Sequence, residues 1–191
     1  AWFGLGNCFI GLEQPEEAIA AYREVIRTDP ANANAYYNLG VYFRQLGRYE
    51  AAVATFEEAL AVAADHIPSR FEMGEAFHQM GRAEAAKQAF ADIVAQAPRF
   101  YPAYFRMGIV CHQLGQYEEA VAAQEKVLDL KPDFAPAYFA LGLVYANTGD
   151  RRREANAYKE ALRLDPDFVA AHYNLGLYYL RSGERSNALE Q

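Results

Sequence analysis

The segment GRYEAAVATFEEAL, from Gly47 to Leu60, decides the fold because the chain contains it in more than one version. A second version, GQYEEAVAAQEKVL, runs from Gly115 to Leu128, and a third, GDRRREANAYKEAL, runs from Gly149 to Leu162. One globular core has no need for such duplication. The recurrence therefore predicts a protein built from structural repeats.

Glycine and proline give the length of the repeat. Eleven of the 13 glycines fall into two series with a constant interval of 34 residues. The first series is Gly6, Gly40, Gly74, Gly108, Gly142 and Gly176, and the second is Gly47, Gly81, Gly115, Gly149 and Gly183. Prolines follow the same interval at Pro30, Pro98, Pro132 and Pro166, with one step skipped at position 64. A fixed period between about 20 and 50 residues is typical of a solenoid.

Each period contains two helical patterns. In the first, Tyr36, Leu39 and Phe43 follow the i, i+3, i+7 spacing of one helix face. In the second, Ala52 and Phe56 lie four residues apart, again on one face. Glycine inside the first helix costs about 1 kcal/mol relative to alanine. Its recurrence in the Gly40 series therefore predicts that two helices approach each other closely at that position.

The helix ends are marked as well. The Gly47 series predicts a left-handed cap for each first helix, where glycine is the least costly residue. The Pro30 series predicts the end of each second helix, since proline cannot continue it. Ala64 occupies the position of the missing proline. We therefore expect the helix that begins near Arg48 to continue to about His66.

These residues resemble a known family, the tetratricopeptide repeat (TPR). The pattern W-x2-L-G-x2-F from Trp2 to Phe9, followed by Ala18, Tyr22 and Pro30, is similar to the TPR consensus, and the resemblance covers the whole chain. It implies an all-α fold, a right-handed superhelical solenoid of antiparallel helix pairs with about 12 helices, partial ones at the ends included. We expect one domain over residues 1–191, with repeats near 1–32, 33–66, 67–100, 101–134, 135–168 and a partial 169–191.

Four local departures from the pattern concern helix packing. Glu154 stands where Ala52 and its equivalents are small, and Gln124 replaces an aromatic residue. Arg70 and His172 replace the large aromatic side chains that open the other first helices. We expect less regular packing around these positions, within an unchanged fold.

One column of the repeat is aromatic without exception, and in the family it faces the concave groove. Its members are Phe3, Tyr37, Phe71, Phe105, Phe139 and Tyr173. This column can be scaffold packing, a ladder of rings that holds a peptide or helix, or both, because a ring often buries one side and exposes the other. The variable residues beside it favour a partner of mixed charge. The predicted groove residues are Phe3, Asn7, Tyr37, Asn38, Val41, Arg44, Phe71, Glu72, Glu75, His78, Phe105, Arg106, Ile109, His112, Phe139, Leu143, Tyr173, Asn174 and Leu177.

Composition argues against several functions. The chain has a formal net charge of −7 and no basic stripe, which disfavours nucleic acid, and it has no apolar run long enough to cross a membrane. Cys8 and Cys111 are far apart and indicate a reducing compartment, so we expect a cytoplasmic protein. His78 and His112 occupy equivalent positions, but we favour groove histidines over a metal pair with Glu75. We expect no catalytic, cofactor or metal site.

Three functions remain open at this point. The first is a protein–protein interaction scaffold that binds a peptide or helix in its groove. The second is self-association through uncapped solenoid ends, because such ends expose apolar surface. The third is the targeting domain of a larger enzyme whose catalytic part lies elsewhere. Two binding modes known in the family do not fit this sequence. One holds a carboxylate with a lysine, but the column that would supply this lysine is aromatic here. The other uses a ladder of asparagines, which only Asn38 and Asn174 match. The arginine run that begins at Arg151 is a solvated turn or a secondary docking patch.

Overall fold

The computed structural model describes residues 2–12 and 14–190, without the side chains of residues 2, 3, 7, 10, 185 and 186. In this part of the chain every regular element is an α-helix, and there are 12 of them. The chain divides into two compact units, residues 1–96 and 97–191. The predicted all-α fold is confirmed, whereas the single domain over 1–191 stays a prediction.

Each unit consists of three consecutive helical hairpins. The first unit contains α1 (Trp2–Gly11), α2 (Pro15–Thr28), α3 (Ala33–Gln45), α4 (Tyr49–Val62), α5 (Ile67–Gln79) and α6 (Ala83–Gln96). The second contains α7 (Tyr101–Gln113), α8 (Tyr117–Leu130), α9 (Ala135–Thr148), α10 (Arg151–Leu164), α11 (Val169–Ser182) and α12 (Arg185–Leu189). The odd-numbered helices are therefore the first helices of the sequence repeats, and the even-numbered helices are the second.

The turn in five of the six hairpins, those from α3–α4 to α11–α12, is a glycine cap, as predicted. Gly47 has φ 71°, a left-handed conformation that other residues adopt only with strain. The N–H of Arg48 donates to the carbonyl of Phe43 (2.9 Å), which satisfies one of the carbonyls left open at the end of α3. The same pair of features recurs at Gly81, Gly115, Gly149 and Gly183. These caps reverse the chain direction within two or three residues between helices.

The predicted long helix from Arg48 to His66 is wrong. Helix α4 ends at Val62, and Ala63 leaves the helix with φ −138° and ψ 93°. The next helix, α5, begins at Ile67 with His66 as its N-cap, whose ring nitrogen Nδ1 accepts a hydrogen bond from the N–H of Ser69 (3.3 Å). Proline is therefore not needed to end this helix.

Side chains hold this proline-free loop in place. Arg70 donates to the carbonyl of Ala64 (Nη2–O 2.8 Å) and to the side chain of Gln96 (Nη1–Oε1 2.8 Å). Gln96 in turn donates to the carbonyl of Asp65 (3.1 Å). Two departures seen in the sequence, Arg70 and Ala64, thus compensate each other. His172 plays a similar part in the second unit, because its Nε2 donates to the carbonyl of Pro166 (2.8 Å).

The core of each hairpin is a ring packed on a glycine. Phe56 of α4 is fully buried, and one of its ring atoms lies 2.5 Å from the position that a Cβ on Gly40 would occupy. Burying a phenylalanine ring stabilises a fold by about 1.5–3 kcal/mol, so the glycine is worth its helix-propensity cost. The predicted close approach of helices is confirmed here, and it recurs at Gly6–Tyr22, Gly74–Phe90, Gly108–Gln124 and Gly142–Tyr158.

Candidate functional site

In the first unit the predicted groove residues lie on the neighbouring helices α3 and α5, apart from Phe3 and Asn7 on α1. The ring of Tyr37 is half-buried between two others, with ring centroids 6.4 Å from Phe56 and 5.7 Å from His66. Val41, one turn further along α3, packs against the core cluster that contains Phe56. These side chains therefore support the scaffold and present only part of their surface.

A charged pair joins the two helices. The Nε atom of Arg44 on α3 lies 2.8 Å from Oε2 of Glu72 on α5, and the two side chains are 24% and 18% exposed. Neither of these two atoms has a partner in hydrogen-bond geometry, so the contact is an ion pair without directed bonding. Burial raises the pKa of Tyr37, Glu72 adds to the rise, and Arg44 opposes it. The structure thus brings together three of the predicted residues.

The remaining predicted residues of this unit extend the same surface. Phe71 is half-buried and its ring meets Phe90 edge-on, with centroids 5.5 Å apart. Glu75 and His78 follow on α5 and are also half-buried. Asn38 donates to the backbone carbonyl of Asn34 (2.6 Å). Phe3 and Asn7 were predicted for the same surface, but their side chains lie outside the described residues.

In the second unit the rings of the groove column are covered by rings from the next hairpin. Phe105 on α7 meets Phe134 at 5.1 Å with an interplanar angle of 83°, and Phe139 on α9 meets Phe168 at 5.0 Å. Phe134 and Phe168 are the N-cap residues of α9 and α11. Tyr173 differs because its side chain is 66% exposed. Packing therefore explains much of why the column is aromatic in every repeat. Only part of each covered ring is available to a partner.

The other predicted residues of the second unit have varied surroundings. His112 lies with Nε2 2.6 Å from Nδ2 of Asn147, and burial lowers its pKa, which favours the uncharged ring. Leu143 packs against the cluster of Tyr158 and Leu175. Asn174 donates to the carbonyl of Ala170 (2.8 Å). Arg106 and Ile109 are half-buried on α7.

The face of α11 bears an apolar cleft of about 430 Å³. Two predicted groove residues, Tyr173 and Leu177, contribute to it, and both are exposed. Val169 and Leu180 on the same helix are 78% and 57% exposed. Isolated exposed apolar side chains are normal, but a contiguous set of this kind marks an interaction surface.

Two further structural observations bear on the expected functions. Among residues 2–12 and 14–190, no three histidine, cysteine, aspartate or glutamate side chains are grouped in a way that could hold a metal ion. Within that same part of the chain, no helix is both long and apolar enough to cross a membrane.

A second column of rings covers the groove rings, and it is absent from the sequence predictions. His66, Phe134 and Phe168 are 34 or 68 residues apart and stand immediately before the first helices. Their spacing was therefore available as a signal. A ring on a helix needs a neighbour on each open side, so a second column of rings accompanies the first.

Models of repeat families match almost the whole chain. Models described as tetratricopeptide repeat match residues 3–66, 43–107 and 135–168, and one described as TPR repeat matches residues 103–149 and 155–183. No curated protein matches this chain.

Solved structures resemble the fold over most of its length. The crystal structure of MamA has 25% identity and a TM-score of 0.78, and the match covers 85% of this chain and 95% of that one. A tetratricopeptide repeat protein from Parabacteroides merdae ATCC 43184 has 17% identity and a TM-score of 0.86, covering 99% of this chain and 75% of that one. YrrB, described as a TPR protein with an unusual peptide-binding site, has 22% identity and a TM-score of 0.72, covering 89% and 88%. The last two likenesses concern the fold alone.

Proposed function

The chain belongs to the tetratricopeptide repeat family, and we propose that this protein-interaction scaffold binds a peptide or helix of a partner protein on the groove residues of its first helices. TPR proteins bind peptide or protein partners, and the description of YrrB as having a peptide-binding site supports a peptide ligand. TPR proteins are in general non-catalytic, and we propose a role without catalysis here. A cytoplasmic location is part of the same proposal.

The observation that carries the proposal is the pair of Arg44 and Glu72. Charged side chains that are this far buried ordinarily make well-directed hydrogen bonds, because an ion pair loses hydration on burial. Here the pair lies near the half-buried ring of Tyr37, and its closest atoms lack hydrogen-bond geometry. These closest atoms are buried, so a partner would reach the pair through the exposed remainder of the two side chains, donating to Glu72 and accepting from Arg44. A peptide backbone offers both groups at once.

The experiment selects peptides from a phage-displayed random library and measures the affinity of a selected peptide for two charge-neutral double variants. Arg44→Ala with Glu72→Ala removes the groove pair. Arg27→Ala with Glu24→Ala removes an exposed pair on α2 as a matched control. We expect the groove variant to bind at least tenfold more weakly, a loss of about 1.4 kcal/mol, and the control to bind as the parent chain does.

Two results would contradict this proposal. One is a library that yields no binder to the folded chain. The other is a set of selected peptides whose affinity is the same for the groove variant and the parent. Circular dichroism of both variants establishes that the helices are retained, so that a loss of binding is not a loss of folding.

Self-association is a second candidate because α11 exposes a contiguous apolar face. Tyr173 and Leu180 line its cleft and are 66% and 57% exposed. Light scattering over a wide range of protein concentration tests this candidate. We expect oligomers whose mass falls to that of a monomer in Tyr173→Ser with Leu180→Ser, but not in the control Leu46→Ser with Val62→Ser, which removes exposed apolar side chains from the first unit. A monomeric parent chain at every concentration would refute it.

A further inference from the structure

One helix of the first unit is capped by a titratable side chain. His66 stands directly before α5, and its Nδ1 atom accepts a hydrogen bond from the backbone N–H of Ser69 (3.3 Å). The hydroxyl of Ser69 lies 2.8 Å from the same nitrogen and donates to it as well, because a nitrogen that accepts from an N–H carries no proton. Ser69 is fully buried. This cap therefore requires the neutral form of the imidazole.

The other ring nitrogen connects the cap to the preceding hairpin. With Nδ1 as the acceptor, the neutral ring carries its proton on Nε2, which lies 3.3 Å from Oδ1 of Asn34 on α3. The ring also meets the ring of Tyr37 edge-on, with centroids 5.7 Å apart. His66 therefore links the start of α5 to α3, and these are the helices that carry the ion pair of Arg44 and Glu72.

Equivalent positions in other hairpins have one or the other of these two roles. Asn32 caps α3 with its side chain, which accepts from the N–H of Ala35 (3.2 Å), but it supplies no ring. Phe134 and Phe168 supply rings that cover the groove column, but their side chains make no cap hydrogen bond. An imidazole combines the cap with the ring, and it makes the cap sensitive to pH.

We propose that His66 is a pH-sensitive cap that controls the start of α5 and its link to α3. When Nδ1 takes up a proton, the N–H of Ser69 loses its acceptor, and a positive charge lies at the positive end of the helix dipole. The charged ring can still donate to the hydroxyl oxygen of Ser69. The hydroxyl proton must then find another acceptor at a buried site, which is costly. The first turn of α5 therefore loosens.

The groups around the ring favour the neutral form. Burial lowers the pKa of His66 and is the largest influence, while the exposed carboxylate of Asp65 in the same loop opposes the fall. On α3, burial raises the pKa of Tyr37, so the phenol carries no charge near neutral pH. On α5, the guanidinium of Arg70 is held on the carbonyl of Ala64.

Acid, and not alkali, releases this cap. The pKa of an unfolded histidine is about 6.5, and the pKa of folded His66 is lowered from its ordinary value. The folded state thus binds this proton less readily than the open state. The stability that the cap contributes is fully present above about pH 6.5 and is lost as the pH falls through the pKa of the folded state.

Release of the cap would also weaken ligand binding on α3 and α5, a consequence that rests on the proposed peptide binding. The cap itself does not depend on a ligand. Hydrogen exchange of the ligand-free chain, resolved by NMR, therefore tests it separately, and a failed cap can be distinguished from a groove that binds no peptide.

The measurement compares protection factors of the α5 amides from Ser69 onward at about pH 7.5 and pH 5. We expect those of the parent chain to fall about fivefold in acid, since an N-cap contributes a factor of this size. His66→Asn keeps an acceptor like that of Asn32 but does not titrate in this range, so its protection should change less than twofold. His66→Phe supplies the ring of Phe134 without an acceptor, and we expect low protection at both pH values.

A second variant tests the link to α3. Asn34→Asp places a carboxylate beside Nε2 and favours the charged ring, so NMR titration should show the pKa of His66 raised by about half a unit. Gln45→Glu adds the same charge at the exposed far end of α3 and should leave that pKa unchanged.

Three results would overturn the proposal. One is a parent chain whose α5 protection is the same at both pH values. Another is an equal fall in His66→Asn, because a different group would then be titrating. The third is an equal shift of the His66 pKa in Asn34→Asp and Gln45→Glu, which would mean that the ring does not contact Asn34.

Discussion

The hairpins α3–α4 and α7–α8 fill the same space with different side chains. In the first, the ring of Phe56 packs on Gly40, and in the second the amide of Gln124 packs on Gly108. Both side chains are fully buried. Nε2 of Gln124 donates to the carbonyl of Phe105 (3.1 Å), but its Oε1 is buried without a hydrogen-bond partner. The repeat therefore requires a side chain of similar volume at this position. The chemistry of that side chain determines how much it stabilises the hairpin.

The largest effect is expected when the glutamine of the second hairpin replaces the phenylalanine of the first. Phe56→Gln removes a fully buried ring and places a polar amide in the same buried space. We expect a loss of about 3 kcal/mol in the free energy of unfolding, measured by urea denaturation.

Phe77→Gln is a matched control, because Phe77 is half-buried on α5 and stacks with Arg82. It should cost about 1 kcal/mol. If Phe56→Gln were as mild as the control, the ring would not be what stabilises the first hairpin, and the comparison would fail.

The hairpin α9–α10 extends the comparison to a second position. Glu154 is 3% exposed and paired with Arg181 of α11, whereas Ala52, Ala86 and Ala120 occupy the equivalent position elsewhere. Arg181→Gln leaves a buried carboxylate without its cation. We expect a loss of about 2 kcal/mol, below the usual range for buried pairs because Arg181 is half exposed.

Glu154→Ala is the informative partner variant. It restores the residue of the other hairpins and removes the need for the arginine, so we expect a change within about 0.5 kcal/mol or a gain. Hydrogen exchange of the α11 amides checks both variants at the affected helix. Equal destabilisation by the two substitutions would indicate that the pair itself, and not the uncompensated carboxylate, controls the packing.

The glycines provide a smaller test of the same difference. A Cβ on Gly40 would meet a rigid ring, and Gly40→Ala should cost about 1–2 kcal/mol despite the better helix propensity of alanine. A Cβ on Gly108 would chiefly meet the end of a flexible amide, with the backbone oxygen of Ala120 next at 3.3 Å. Gly108→Ala should therefore change stability by less than about 0.5 kcal/mol, since the glutamine can move and the propensity gain offsets its lost hydrogen bond. Thermal unfolding of the two variants decides this, and the reverse order would contradict it.

The sequence predicted the fold because constant spacing constrains packing directly. The glycines of the Gly40 and Gly47 series have the structural roles that their spacing indicated. The groove residues were also placed on the first helices as expected, with Arg44 and Glu72 in contact. Whether this surface binds a peptide stays a prediction.

What could not be predicted depends on side-chain geometry that spacing does not encode. The end of α4 rests on hydrogen bonds from Arg70 and Gln96, which are distant in sequence from the missing proline. Gln124 was recognised as a departure, but the burial of its Oε1 follows from how the amide is oriented. Such orientations depend on neighbouring helices and not on a single column.

An effect of opposite sign to the first is expected for Gln124→Phe. The ring would occupy the volume that Phe56 and Phe90 occupy in their hairpins and would remove a buried acceptor without a partner. We expect a gain of about 1 kcal/mol, since the lost Nε2 hydrogen bond is outweighed by ring burial and by the removed penalty. Gln124→Ala separates the two contributions, because it removes the amide without refilling its space and should be less stable than the phenylalanine variant. Adding Gly108→Ala to Gln124→Phe should then recreate the clash of Gly40→Ala. If that double variant were as stable as Gln124→Phe alone, the ring would not pack on Gly108, and the two hairpins would not share one packing geometry.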